Sequence, residues 1–154
     1  MSAVSLIECD PDDPAALVCL ERYYAELAAQ FPGGFEVGRS RDPAAAQLLR
    51  PLGSFVLALC SFEPVGCIAL KGSGGSVAEI KRMWLDPAQR GTGLARRLMT
   101  QAEEIARELG TTTLRLDTNR ALTKAIATYR HWGWTEIPRF NDDPYAEVFF
   151  EKAL

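Results

Sequence analysis

Among the 154 residues there is a single histidine, His131, which leaves nothing from which to build a histidine metal site. The four cysteines, Cys9, Cys19, Cys60 and Cys67, stand at no metal-ligand spacing, and a chain of this length needs no disulfides to hold a core. They read as small buried thiols. No apolar run approaches the length of a bilayer span, and the N-terminus lacks the basic-then-apolar order of a secretion signal. Those two absences point to the cytoplasm and away from a membrane partner. An excess of positive charge is missing too. The net charge is −3 with the arginines spread along the chain, which argues against a nucleic-acid partner and suits a neutral or cationic one. No internal repeat, low-complexity stretch or linker divides the sequence, so residues 1–154 read as one domain.

What is present is organised around Glu79–Gly110, read as a strand, a glycine-bearing loop and an amphipathic helix. Glu79 to Leu85 is the strand, and Asp86-Pro87 ends it. Gln89-Arg90-Gly91-Thr92-Gly93 is the loop. In the helix, Leu94, Leu98, Ala102, Ile105 and Leu109 recur at three and four residues, and Gly110 is placed to close it. Glycines before a helix let a large anion approach the free amides of its first turn, so the loop is a candidate phosphate cradle. It is not a P-loop, because no Gly-Lys-Ser/Thr enters the helix. Nor is it a dinucleotide fingerprint: Arg96 holds the third glycine position, and Asp86 to Arg90 separate strand from glycines. An ordinary strand–loop–helix crossover, with glycines for turn geometry, is the remaining alternative.

At Arg90-Gly91-Thr92-Gly93-Leu94-Ala95 the sequence resembles the Gln/Arg-x-x-Gly-x-Gly/Ala motif of the GNAT superfamily, the Gcn5-related N-acetyltransferases. The later Ala125-Ile126-Ala127-Thr128-Tyr129-Arg130-His131-Trp132-Gly133-Trp134 is similar to that family's Ala-x-x-x-Tyr-x-x-x-Gly-Phe pattern. Together they cover roughly Ser54 to Trp134. The resemblance implies an acyl-CoA-dependent N-acyltransferase, with acetyl-CoA as co-substrate, no metal, and a small-molecule or protein amine as acceptor. A non-catalytic module that binds acyl-CoA as a sensor, or docks on a partner, is the alternative.

The rest of the chain reads as follows. Val4 to Glu8 is a short strand. Asp13-Pro14 starts a helix whose face is Leu17, Leu20, Tyr24, Leu27 and Phe31, and Pro32-Gly33-Gly34 stops it. A second short helix is expected over Pro43 to Leu49. Ser54 to Ser61 and Val65 to Lys71 are apolar runs joined at Glu63-Pro64, read as a hairpin of buried strands. Val77 to Leu85 pairs next, after the turn Gly72 to Ser76. Thr112 to Asp117 is a strand parallel to it. Thr123 caps a helix through His131, closed by Gly133. Trp134 to Ile137 and Tyr145 to Lys152 are the last strands. The order β-α-α-β-β-β-α-β-α-β-β is an α/β sandwich about a mixed sheet, as in the GNAT fold. Edge strands at the C-terminus suit a homodimer, as in many members.

Site residues follow from strand geometry and from the resemblance. Alternation puts Glu79, Lys81, Met83 and Leu85 on one face and Ile80, Arg82 and Trp84 on the other. The resemblance implies that Met83, Trp84 and Leu85 receive the pantetheine arm and that Arg90, Gly91, Thr92, Gly93, Leu94, Ala95 and Arg96 surround the pyrophosphate. It implies Glu79 as the base that deprotonates the amine; a strand-end charge paired with Lys81, Arg82 or Arg115 is an equal reading. It implies Tyr129 as the acid for the departing thiolate. Many members carry an asparagine where this chain has Leu122, and Asn119 is an approximate substitute for that cofactor contact. Phe31 and Phe35 are candidate walls of the acceptor site, with Tyr23 and Tyr24, or else core anchors. Asn141 and Tyr145, in the loop before the last strand, are further candidates for the acceptor. Asp142, Asp143 and Glu147 there either attract an amine or form a solvated turn.

Overall fold

The computed structural model describes residues 3–37 and 45–154. In chain order it has β1 (Val4–Glu8), α1 (Pro14–Gln30), β2 (Ser54–Cys60), β3 (Glu63–Lys71), β4 (Val77–Leu85), α2 (Leu94–Glu108), β5 (Thr113–Thr118), α3 (Thr123–His131), β6 (Thr135–Ile137) and β7 (Val148–Ala153). Three-ten turns at Ala45–Leu48 and Pro87–Gln89 complete it. This is the expected order, with the second helix shortened to a three-ten turn; Pro43 lies outside the described residues.

The strands form one sheet in the order β1-β2-β3-β4-β5-β7-β6. All neighbours are antiparallel except β4 and β5, the pair joined by the α2 crossover. On one face α1 packs Ala16, Cys19 and Leu20 against Phe55, Leu57 and Cys67. On the other, Leu98, Met99, Ala102 and Ile105 of α2 meet Val56, Ile68 and Leu70, and Ile126 and Tyr129 of α3 join them. Both faces of β2 and β3 are therefore covered, which is why those strands are near-continuous apolar runs. Full burial of each large side chain there contributes about 1.5–3 kcal/mol.

Helix α1 begins where Asp13 accepts a hydrogen bond from the Ala15 amide at 3.0 Å, with Pro14 in its first turn. Its buried stripe is Ala16, Cys19, Leu20 and Leu27, whereas Leu17 is 48% exposed. The expected face was thus rotated by about one residue. The β2–β3 hairpin turns at Ser61-Phe62, both left-handed at φ 49° and 68°, so Glu63 and Pro64 already belong to β3. Leu122, not Thr123, precedes α3 as its cap, and Thr123 is the first helical residue. β7 starts three residues after Tyr145. Turn bonds hold the intervening segment: Asp143 Oδ1 accepts from the Tyr145 amide at 2.8 Å and the Asp143 carbonyl from the Ala146 amide at 3.1 Å. Cys19 and Cys67 are buried, but Cys9 and Cys60 are only half-buried, and all four are free.

The alternation expected along β4 breaks in its middle. Ala69 pairs with Lys81 and Cys67 with Trp84, so Ile68 faces both Arg82 and Met83. This is a β-bulge, and Arg82 takes a left-handed conformation at φ 52° to make it. The extra residue moves Met83 and Leu85 to the α2 face with Ile80, and Trp84 to the α1 face. Glu79 and Lys81 therefore do not share a face with Met83 and Leu85. The Cys67 thiol donates to the Arg82 carbonyl at 3.1 Å and fastens the bulge to β3.

Candidate active site

β4 and β5 pair over only three positions, Val77–Thr113, Ala78–Leu114 and Glu79–Arg115. Beyond Glu79, β4 stays with β3 and β5 with β7 as far as Thr118, so the sheet opens along its parallel seam. Both strands present their carboxyl ends to that opening, the place where ligands of open α/β sheets bind. Two cavities lie along it.

The larger, of about 440 Å³, is bounded by Met83, Trp84 and Leu85 of β4, by Thr128 and Tyr129 of α3 and by Trp132 just after it. Arg90 and Ala95 mark its end near α2. There Gly91 and Gly93 are left-handed at φ 78° and 88°, a conformation glycine adopts without a side-chain clash. Gly93 is the cap of α2, and no side-chain cap bond to the first-turn amides occurs among the described residues. Those amides carry the positive end of the helix dipole outward. Arg90 is fixed by the Leu85 carbonyl at 3.1 Å and by Glu26, and the Arg96 guanidinium lies 5.2 Å from the centre of the Trp132 ring. The Tyr129 hydroxyl points to a sulfur, Met83 Sδ, at 4.0 Å. Burial, and then the nearby Asp117 charge, push its pKa up to about 12, so the phenol stays neutral.

The smaller cavity, of about 90 Å³, has aromatic walls and an ionic floor. Phe35 and Tyr145 meet at 4.7 Å between ring centres, Phe31 and Tyr145 at 5.7 Å, and Tyr24 and Phe35 at 5.6 Å. The Tyr145 hydroxyl accepts from the Glu36 amide at 2.9 Å, which ties the segment after α1 to the loop before β7. On the floor, Lys81 Nζ lies 3.0 Å from Asp117 Oδ2 and 3.7 Å from Glu79 Oε2. Burial alone would lower the Lys81 pKa, but Asp117 and then Glu79 outweigh it and hold the ammonium above its usual range. Asn141 Nδ2 donates to the same Asp117 oxygen at 2.8 Å. Among the described residues no group of three potential ligands could hold a metal, and no helix is long and apolar enough to cross a membrane.

This geometry has relatives. Residues 20–134 match the family model described as acetyltransferase (GNAT) family. The chain is 42% identical over 133 residues to the uncharacterized N-acetyltransferase YjgM of Escherichia coli K12, covering 82% of this chain and 78% of that one. It is 37% identical over 112 residues to an IAA acetyltransferase of Azospirillum brasilense, covering 70% and 72%. The chain belongs to the acetyltransferase (GNAT) family. It is an N-acetyltransferase, as its relatives are named. Crystal structures share the fold: a GNAT acetyltransferase from Staphylococcus aureus Mu50 superposes with a TM-score of 0.86 at 19% identity, covering 98% and 99% of the two chains. The PaiA N-acetyltransferase of Thermoplasma acidophilum, solved with coenzyme A, gives 0.73 at 19%, covering 99% of both.

Within this GNAT chain the residues expected at the site divide. Met83, Trp84, Leu85, Arg90, Ala95 and Tyr129 meet in the larger cavity. Gly91, Thr92 and Gly93 sit exposed at its end, with Thr92 Oγ1 donating to the Gln89 carbonyl at 2.6 Å. Leu94 turns its side chain into the core, which leaves only its backbone for a ligand. Phe31, Phe35 and Tyr145 wall the smaller cavity, and Asn141 reaches it through Asp117. Asn119 is placed otherwise than expected. It lines the smaller cavity, and both ends of its amide are used: Nδ2 donates to the Tyr145 carbonyl at 3.0 Å and Oδ1 accepts from the Ala121 amide at 2.9 Å. Glu79 lines neither cavity and lies between Lys71, at 3.4 Å, and Lys81. Asp117 was passed over as an acceptor-site residue, although its place at the end of the second parallel strand was a signal. Asp143 is buried and faces the smaller cavity, so the acidic loop is not wholly solvated.

Proposed function

We propose that the chain transfers an acetyl group from acetyl-CoA to a primary amine by direct attack in a ternary complex. The observation that carries this is the meeting of two cavities at the opened β4–β5 seam. One ends at an uncapped helix start, the other at carboxylates and aromatic rings. The residues fit the donor: Gly91, Thr92, Gly93 and the first amides of α2, through Arg96, hold the pyrophosphate. The backbone of Met83, Trp84 and Leu85 receives the arm along an edge that β5 no longer covers. When bound, acetyl-CoA supplies an acetyl group already activated as a thioester.

An amine reaches neutral solution as an ammonium and has to lose a proton before its nitrogen can attack. Of the two carboxylates in the acceptor cavity, Asp143 is taken up by the turn before β7, and Asp117 on the floor takes that proton. Glu79, the base expected from the family, acts from behind by sharing Lys81 with Asp117. Aromatic walls favour a cation in the same cavity.

Tyr129 faces the sulfur of the leaving group. A thiol near pKa 8.5 is a stronger acid than a phenol at about 12, so full transfer from Tyr129 is uphill by roughly 5 kcal/mol. Its role is therefore to donate a hydrogen bond to the sulfur while the bond breaks. The ammonium's first proton goes to Asp117 and on to solvent. The second, lost by the nitrogen once it has bonded to the acetyl carbon, ends on the thiolate.

Thiol release over pooled primary amines tests the activity. Steady release supports transfer; stabilisation by acetyl-CoA with no release over any amine would leave a binding module instead. Asp117→Asn is expected to lower kcat by about 100-fold, with Glu79→Gln causing a smaller loss. The reverse order would return the base to Glu79.

A further inference from the structure

The two cavities share a wall of three residues, Tyr23, Leu27 and Leu122. If the chain acts as proposed above, the amine comes from one side of this wall and the thioester from the other, and the bond between them forms beside it. We propose that this junction is the acyl subsite and that Leu122 sets the length of the acyl chain the enzyme accepts.

The two leucines are held in place. Leu27 is buried on α1. The Leu122 amide donates to the Asn119 carbonyl at 3.0 Å, and Asn119 is pinned through its side chain to Tyr145 and Ala121. Leu122 is thus set by a rigid turn at the head of α3, not by a mobile loop. Tyr23 is the polar member. Burial, and then Tyr129, push its pKa upward, so its hydroxyl stays protonated, and it has no hydrogen-bond partner among the described residues. A thioester carbonyl between two leucines would give it one. Beyond the junction lies only the small acceptor cavity, which the amine needs. An acyl chain longer than acetyl would have to enter that cavity or displace Leu122. An asparagine at this position would be polar where Leu122 offers a branched apolar stop.

Calorimetric titration of coenzyme A, acetyl-CoA and hexanoyl-CoA tests this without turnover, on the wild type, Leu122→Ala and Leu122→Phe. Each newly buried methylene adds about fourfold in affinity. Leu122→Ala should therefore raise the affinity of hexanoyl-CoA relative to acetyl-CoA at least tenfold. Leu122→Phe should lose the wild type's preference for acetyl-CoA over coenzyme A. Ratios within twofold of wild type in either folded variant, with acetyl-CoA still bound, would overturn the subsite alone. A wild type that binds none of the three would overturn the acyltransferase reading itself.

Discussion

Tyr129 and Trp134 make opposite uses of a buried polar handle. The Tyr129 hydroxyl faces a cavity and a weak sulfur acceptor, so a ligand can claim it. Tyr129→Phe should lower kcat by about 10- to 100-fold while the dissociation constant of acetyl-CoA, read by calorimetry, stays within twofold. Because its pKa is raised, the neutral donor persists up to about pH 12, and no alkaline fall in rate before then belongs to it. Trp134 is 4% exposed, and its indole nitrogen has no hydrogen-bond partner among the described residues. Losing indole packing costs stability, but removing a buried orphan donor returns about 1–3 kcal/mol. Trp134→Phe is accordingly expected to change stability by less than about 1 kcal/mol in urea denaturation, far below an ordinary buried tryptophan truncation.

At the scale of elements, what could be read in advance had side-chain periodicity or glycine behind it. The stripe of α2, the left-handed loop glycines and the closing Gly110 and Gly133 all follow from residue type. The β4 bulge and the Ser61-Phe62 turn do not, because Arg82, Ser61 and Phe62 adopt left-handed conformations that such residues rarely take. A strand written VAEIKRMWL gives no sign of its extra residue, so the faces of Met83 and Leu85 were assigned wrongly. Edge strand β1 is secured by charge. Glu8 Oε1 accepts from Arg50 Nε at 2.8 Å and from Ser54 Oγ at 2.6 Å, and Arg50 also reaches Glu108 at 2.7 Å. The Arg50 hydrogen bond, against some desolvation, holds the Glu8 pKa below its usual 4.5. Its stabilisation is present above that value and is lost as pH falls through the lowered one. The pair is well exposed, so Glu8→Gln should cost less than about 1 kcal/mol at pH 7. The two proteins should have melting temperatures that converge as the pH falls through the lowered Glu8 pKa. Gly72 is a stricter constraint: a Cβ there would fall 1.8 Å from the Leu52 carbonyl. Gly72→Ala should therefore destabilise by at least about 3 kcal/mol in the same denaturation assay.

For the whole molecule, the larger cavity was readable because two short stretches that carry sequence motifs, Met83 to Ala95 and Ala121 to Trp132, supply most of its lining. The smaller cavity was readable only in its walls, where Phe31, Phe35 and Tyr145 stand as expected. It is assembled from α1, the segment after it, β4, β5 and the loop before β7, and no local pattern announces that Lys81 and Asp117 will converge with them. Leu122 shows the same limit: as a departure from a family asparagine it looked like a lost contact, and only the junction of two cavities gives it a place.

The three-position pairing of β4 with β5 has one more consequence. Past Glu79, those amides of β4 that point away from β3 have no neighbouring strand among the described residues, and in the free protein they are left to water. The pantetheine arm, with its own spaced amides, would act as a surrogate strand that closes the sheet. The backbone amides of Met83 and Leu85, which alternate with the β3-facing amides of Trp84 and Asp86, should then exchange with deuterium quickly in the free protein and slowly with coenzyme A. The nucleotide half alone, which reaches only the α2 end, should leave their exchange unchanged.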